Sequence, residues 1–264
     1  MGGRPAPSGE AGGGGPDGGE GGSVSSGRFE VKYLASLDQW RDFRKEADPL
    51  LVRDVHDPDG TGYYNHSIYY DSPRYRYYQE KREGFSDRTK PRLRGYKRNA
   101  GVQPEVLFFE YKRRINRSIR KRRLQLSSEQ SEALLRGSWR SPAGEAPLLR
   151  DFLCRSQSHQ LVPALAVLYL RHAYGCRFGR GLRVTYDLDL RCSVRFGWTE
   201  PASVFYPILP ANRVLIELKF DGRMPLWLYQ LTRRLELQEL SLSKYGMGIE
   251  RCFSSRRRWW GAVE

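Results

Sequence analysis

Charged and apolar side chains alternate along residues 88–96 and 106–114, and this pattern restricts the fold more than any other feature of the sequence. Successive strand residues point to opposite faces, so Arg92 and Arg94 share one face while Leu93 lies on the other. The pattern predicts two strands, each with an apolar face that a sheet normally buries. The opposite face is unusual, because it carries arginine, lysine and glutamate.

The same alternation recurs at residues 28–34, 182–190 and 213–220, which gives five predicted strands with a charged face. The charged sets are Glu30 with Lys32, Arg92 with Arg94, Glu110 with Lys112, Arg183 with Asp187, and Glu217 with Lys219. Unpaired buried charge is very costly, so these faces either all contact solvent or line one water-filled space. Each strand also has an apolar face that helices could cover. The pattern therefore favours an α+β fold, an antiparallel barrel with a charged lumen.

Two local patterns complete the predicted architecture. In the segment 182–190, strict alternation predicts that Asp189 shares the charged face with Asp187 and that Leu190 lies on the apolar face. Ser36 is a predicted N-cap of a helix that ends near Ala47. Further helices are predicted over 74–82, 127–135, 148–157 and 225–235, and these can cover the apolar faces of the strands.

Composition and terminal segments limit the partners and the location. The chain of 264 residues has 45 lysine and arginine residues against 30 acidic ones, a net charge of +15. Such a charge favours polyanionic partners, although a basic solvated surface would give the same balance. The four scattered cysteines suit reduced thiols and a cytoplasmic location. No apolar run is long enough to span a bilayer, which leaves a membrane partner open. Residues 1–27 form a Gly-rich leader that we predict to be disordered, 28–253 the folded domain, and 254–264 a basic, aromatic tail.

The residues of the charged faces suit a particular class of ligand. With Lys244 added, they comprise seven basic side chains (Lys32, Arg92, Arg94, Lys112, Arg183, Lys219 and Lys244) and four acidic ones (Glu30, Glu110, Asp187 and Glu217). One guanidinium group can donate two parallel hydrogen bonds to phosphate oxygens, whereas an ammonium group acts as a point charge. Carboxylates among them are typical ligands of a hard divalent cation. We therefore expect a chain of phosphates with its metal ion.

Six motifs then carry a resemblance to a known family: RFEVKYL, PRLRGY, FEYKRR, RVTYDLD, IELKF and LSKYG, in that order between residues 28 and 252. The chain resembles the triphosphate tunnel metalloenzymes of the CYTH-like superfamily, and among them the VTC-type polyphosphate polymerase domain. The resemblance implies an antiparallel tunnel of eight strands that binds a nucleoside triphosphate with Mn²⁺ or Mg²⁺. It also implies transfer of the terminal phosphate of ATP onto a growing inorganic polyphosphate chain.

The resemblance also assigns roles to residues. Glu217 would be the metal ligand, with Glu110 as the second choice, and Ser243 with Lys244 would hold phosphate at one end of the tunnel. Glu30 would contribute to substrate binding. Arg171 would also bind substrate, although Arg171 and Glu110 could equally be supporting members of ion pairs. Phosphate binding and catalysis would fall to Lys32, Arg92, Arg94, Lys112, Arg183 and Lys219.

One departure from the superfamily bears on the reaction. Related hydrolases open with two alternating glutamates, but Arg28 occupies the first of these positions here and only Glu30 remains. This favours a polymerase over an inorganic triphosphatase or nucleotide hydrolase. A polyphosphate-binding module without activity is a third hypothesis. Specific nucleic-acid binding is disfavoured, because the cations alternate along strands without an RNA-binding signature or a recognition helix. The oligomeric state stays open.

Overall fold

The computed structural model describes residues 28–116, 118–139, 147–179 and 181–260, with the side chains of 118–119 and 253–260 excepted. The predicted leader and the last four residues of the predicted tail lie outside the described residues. The strands are β1 (Arg28–Ser36), β2 (Leu51–Arg53), β3 (Tyr63–Asp71), β4 (Asp87–Lys97), β5 (Val106–Ile115), β6 (Ser118–Leu126), β7 (Val162–Cys176), β8 (Arg183–Ser193), β9 (Tyr206–Pro207), β10 (Arg213–Asp221) and β11 (Gln238–Glu239). The helices are α1 (Leu37–Ala47), α2 (Arg76–Arg82), α3 (Ser128–Leu135), α4 (Pro147–His159), α5 (Leu226–Arg234) and α6 (Lys244–Trp260). In the part of the chain described, no helix is both long enough and apolar enough to cross a membrane.

The strands form one antiparallel sheet, in the order β11-β1-β10-β8-β7-β3-β4-β5-β6, with β2 and β9 attached to β7 and β8. This confirms the predicted α+β class, but the predicted closed barrel of eight strands is wrong. The sheet has eleven strands, and it is not closed. The outer edge of β1 is partly taken by β11, which pairs with Tyr33 and Leu34. Strands near the two ends of the sheet still lie close enough for Lys112 of β5 to help lower the pKa of Glu30 in β1.

Helices cover the outer face of the sheet through two apolar cores. Leu93 and Phe109 belong to one core, together with Phe152 of α4. Val184 and Leu218 belong to the other, which includes side chains of α1 and α5. Ser36 caps α1 as predicted, in a reciprocal pair of hydrogen bonds with Gln39. The apolar strand faces therefore point outward under helices, and the charged faces point the other way.

A third apolar core lies on the inner face, where the sequence analysis predicted charge alone. It packs Tyr245 and Ile249 of α6 against strand residues that include Leu165. The sequence analysis did not predict α6, because Gly246 and Gly248 reduce the helix propensity of this segment. Gly248 also allows the close approach: a Cβ atom there would lie 2.5 Å from Leu165 Cδ2. The helix thus fills part of the space that the sheet surrounds.

The predicted alternation fails near the end of β8. Asp189 has a left-handed backbone, with φ of 48°, and the pairing of β7 with β8 shifts at the same place. An extra residue in one strand reverses the faces of the residues that follow. Leu190 consequently joins the inner core, while the exposed Asp189 pairs with Arg191 at 2.8 Å. The predicted faces of Asp189 and Leu190 are therefore wrong.

Candidate functional site

Glu217 of β10 holds three of the predicted site residues together. Its Oε1 accepts a hydrogen bond from Lys244 Nζ at 2.6 Å, and its Oε2 accepts one from Arg171 Nη2 at 2.9 Å. Lys32 Nζ lies 3.8 Å from Oε1. Burial opposes ionisation of this carboxyl, but Lys244 and Arg171 outweigh it and hold the pKa of Glu217 well below its usual range. A charged Glu217 therefore organises β1, β7 and α6 around one point.

Asp187 of β8 shares two of the same cations. Its carboxylate accepts two hydrogen bonds of 2.6 Å from the Arg171 guanidinium, and Lys244 Nζ lies 2.7 Å from Oδ2. Both basic side chains are buried. Such an arrangement satisfies charges that would be costly to bury alone. Arg171 is thus a member of an ion-pair network, and its substrate-binding role stays a prediction.

Glu110 of β5 is the centre of a second network. Arg92 Nη2 lies 2.6 Å from Glu110 Oε2, and Arg94 Nη1 lies 3.6 Å from the same oxygen. Burial raises the pKa of Glu110, but Arg92 and Arg94 outweigh it and bring the pKa to about 2. Tyr69 Oη accepts from Arg92 Nη1 at 3.0 Å, and Ser67 Oγ accepts from Arg94 Nε at 3.3 Å. Both guanidinium groups are therefore fixed in direction before any ligand binds.

Glu30 of β1 pairs with Lys32 of its own strand and with Lys219 of the neighbouring strand β10. Its carboxylate lies 3.2 Å from Lys32 Nζ and 3.8 Å from Lys219 Nζ. Burial opposes ionisation of Glu30, yet Lys219 and Lys32 lower its pKa to about 2. The pKa of Lys219 falls to about 8, mainly because of burial. The Glu30 side chain is 30% exposed, against 5% for Glu217, so it is the more accessible of the two carboxylates.

Lys90 belongs to the site, although the sequence analysis did not select it. It precedes Arg92 by two residues in β4 and so lies on the same face, which is a signal that the alternation did contain. Its Nζ donates to Ser243 Oγ at 3.1 Å. Burial and then Lys81 and Lys112 lower the pKa of Lys90 to about 7. Among the described residues, no carboxylate lies within ion-pair distance of Lys90 or Lys112. Positive charge is thus in excess at this end of the inner face.

Arg183 is the one predicted phosphate-binding residue at the rim of the inner face. It lies opposite Lys219 in the pairing of β8 with β10. Its Nη2 contacts Asp54 Oδ2 at 3.0 Å, and its side chain is 36% exposed. The other predicted residues converge on a common region, which we call the cationic face. Its members are Glu30, Lys32, Lys90, Arg92, Arg94, Glu110, Lys112, Arg171, Asp187, Glu217, Lys219, Ser243 and Lys244.

Comparison with known protein families covers nearly all of the described chain. The family model described as the VTC domain matches residues 27–253. The chain belongs to the VTC domain family. Membership supports a polyphosphate-related function for this fold, as the motifs implied. Lys90 and Ser243 both lie within the matched range, so the excess positive charge is part of the VTC domain.

Several solved structures are similar to this chain at low sequence identity. A candidate adenylate cyclase from Bacillus halodurans is 16% identical, with a TM-score of 0.48 over 81% of this chain and 92% of that one. The PH1819 protein of Pyrococcus horikoshii is 13% identical, with a TM-score of 0.44 over 85% and 99%. A candidate adenylate cyclase from Vibrio parahaemolyticus is 12% identical, with a TM-score of 0.44 over 83% and 96%. At this level of similarity, they carry no weight in the functional argument. No curated protein sequence shows a significant match to the chain.

The carboxylates of the VTC domain bear on the predicted metal ion. In the residues that the structure describes, no group of three or more His, Cys, Asp or Glu side chains could form a cage for a cation. Mg²⁺ and similar ions often need only one or two carboxylates, since phosphate oxygens and water complete their shell. A carboxylate offers about four lone-pair positions, and Glu217 uses two of them in its hydrogen bonds with Lys244 and Arg171. Glu217 therefore fits a cation that is shared with substrate phosphates.

Proposed function

We propose that this VTC domain transfers the terminal phosphate of ATP onto a growing polyphosphate chain. The observation that carries the proposal is the excess positive charge of Lys90 and Lys112, beside the oriented guanidinium groups of Arg92 and Arg94. A chain of phosphates would supply the missing negative charge along its whole length. Each guanidinium group would donate two hydrogen bonds to its oxygens, and the lysines would neutralise its charge as point charges.

The residue types on the cationic face suit transfer to a phosphate acceptor. Phosphoryl transfer depends mainly on positioning and on electrostatic stabilisation. An acceptor that is itself a phosphate terminus is already anionic and needs no general base. This agrees with the positions of the four histidines, all of which are described and none of which faces the site. His66 packs in the outer core, His159 contacts Tyr77, His172 lies beside Asp57, and His56 is exposed.

A divalent cation would be held jointly by the substrate and the domain. When bound, Mn²⁺ or Mg²⁺ would neutralise charge that develops on the phosphate oxygens. Glu217 is the proposed ligand, with Glu110 as the second choice. Glu110 also pairs with Arg92 and Arg94, so it orients these two arginines whether or not it binds the cation. Lys32 of β1 and Lys219 of β10 would contact the phosphates from the side of the cationic face that lies away from Arg92 and Arg94 of β4.

The test is product analysis of the full chain incubated with ATP and Mn²⁺. We expect a ladder of polyphosphate on a stained gel, with ADP released. Arg94→Ala and Lys32→Ala should each abolish the ladder, because each removes a cation from the face. Arg98→Ala is the matched control, since the exposed Arg98 pairs with Glu105 away from the cationic face and its loss should leave the ladder unchanged.

The alternatives predict different products. Stoichiometric orthophosphate without polymer would defeat the proposal in favour of a triphosphatase or nucleotide hydrolase. Tight binding of tripolyphosphate without turnover of ATP would favour a binding module without activity. A ladder that persists in both Arg94→Ala and Lys32→Ala would place the active site elsewhere on the molecule.

A further inference from the structure

Asn65 of β3 is a fully buried polar side chain whose hydrogen-bonding groups are unused. Both Oδ1 and Nδ2 of Asn65 lack a hydrogen-bond partner, and the residue has 0% exposure. A buried carboxamide without partners costs free energy, so its presence calls for an explanation. A ligand group that both donates and accepts would satisfy it.

The strand pairing places Asn65 on the cationic face. Ser67 and Tyr69 follow it at steps of two, and these residues bind the guanidinium groups of Arg94 and Arg92. Side chains at steps of two along a strand share a face. Asn65 therefore lies on that face, about 7 Å along the strand from the position that contacts Arg94. Tyr96 lies directly opposite it in the neighbouring strand.

Aromatic rings surround this end of the cationic face. Tyr96 makes edge contacts with Tyr63 at 5.8 Å and with Phe108 at 6.0 Å between ring centroids. The rings of Tyr96 and Phe108 are half-buried, so part of each remains accessible. The Arg123 guanidinium covers both rings, 3.3 Å from the Phe108 centroid and 5.7 Å from that of Tyr96. Rings and a guanidinium plane are the partners on which nucleobases stack.

We propose that Asn65, Tyr96, Phe108 and Arg123 form a nucleobase site at the end of the cationic face. This inference rests on the proposed function, because it assumes that the face binds the triphosphate. Asparagine presents a donor and an acceptor side by side, and this pair matches the edge of adenine. The triphosphate would extend from Arg94 toward Lys90. The ribose would bridge the step between Arg94 and Asn65, and the base would stack on the half-buried rings.

The proposal assigns a specificity to the domain. A bare phosphate chain uses only the cationic face, whereas a nucleoside triphosphate also uses the nucleobase site. Asn65 and the rings would thus distinguish the phosphate donor from the polyphosphate product.

The test compares two ligands by calorimetry in the presence of Mg²⁺: the β,γ-imido analogue of ATP and tripolyphosphate. Asn65→Leu keeps the number and branching of the side-chain heavy atoms and removes two unsatisfied polar atoms, so we expect it to fold. It should weaken binding of the ATP analogue by about ten-fold or more, as expected for loss of a paired contact to a base. Binding of tripolyphosphate should change by less than about two-fold. Phe108→Ala, at a half-buried position, should likewise weaken binding of the ATP analogue but not of tripolyphosphate, because the base loses a stacking partner.

Ser67→Ala is the control, because Ser67 touches Arg94 and should affect both ligands equally. If Asn65→Leu and Phe108→Ala change neither ligand or change both equally, the nucleobase site is wrong and the phosphate site stands. Such a result would leave an ordered water as the partner of Asn65. If the wild-type protein binds tripolyphosphate no better than the Arg94→Ala variant does, the proposed function itself fails and the nucleobase site fails with it.

Discussion

Lys244, the first residue of α6, donates a hydrogen bond of 2.6 Å to Glu217 in the middle of β10. The two residues are separated along the chain by a helix and a short strand, yet both are buried in the same ion-pair network. Lys244 is a predicted phosphate-binding residue, and Glu217 is the proposed metal ligand. The same contact that shapes the site therefore also attaches the last helix to the sheet.

We predict that Glu217→Gln lowers the free energy of unfolding by about 3 kcal/mol, because Arg171 and Lys244 would then share one carboxylate. The fold should be retained, and divalent-dependent activity should be lost. Urea denaturation and a metal titration of activity measure the two effects. Glu105→Gln is the control: its exposed pair with Arg98 should contribute less than about 1 kcal/mol. Full stability of Glu217→Gln would contradict the structural role of the network.

Glu110 should make stability depend on pH in the acidic range. Its pKa in the folded protein, about 2, lies below the value of 4.5 expected in the unfolded chain. The charged form therefore stabilises the fold above pH 4.5, and this contribution disappears as the pH falls toward 2. Urea denaturation should show wild type more stable than Glu110→Gln by about 3 kcal/mol at pH 7. The difference should shrink steadily below pH 4.5, and a difference that stays constant would refute the assignment.

Lys90 should take up a proton when phosphate binds. With a pKa of about 7, it is mostly neutral at pH 8 in the free protein, and an anionic ligand would restore its charge. We expect wild type to take up about one more proton than Lys90→Met on binding tripolyphosphate at pH 8. The difference should vanish at pH 6, where Lys90 is already protonated. Calorimetry in buffers of different ionisation enthalpy measures it, with Lys45→Met on the exposed face of α1 as control.

Tripolyphosphate should bind far better than duplex DNA at equal total charge. The cations of the face alternate along strands on the side of the sheet that α6 packs against, and we expect a single phosphate chain to reach them more easily than a duplex. A competition assay with a labelled polyphosphate checks this. Efficient displacement by DNA would indicate that polyphosphate binding depends on the net charge of +15 alone and not on the arrangement of the cations.

Particular residues show how far the sequence led. Alternation along β1, β4, β5 and β10 was sufficient to place Lys32, Arg92 and Glu217 on one face, because strand periodicity is a local property. The same rule also places Lys90 on this face, although Lys90 lies outside the six motifs and was not selected. It failed at Asp189, since a left-handed residue that shifts the pairing has no reliable local signal.

The sequence by itself determined which side chains carry charge, which strands alternate, and that the apolar faces must be covered by helices. Only the tertiary structure decided that Lys244 and Arg171 share Glu217 and Asp187, that no carboxylate among the described residues pairs with Lys90, and that Asn65 is buried opposite Tyr96. The tertiary structure also decided that the sheet stays open, since β11 pairs with part of the edge of β1. Periodicity acts between near neighbours in the chain, whereas ion pairing, burial and strand order depend on residues that are far apart in sequence and meet only in the folded protein.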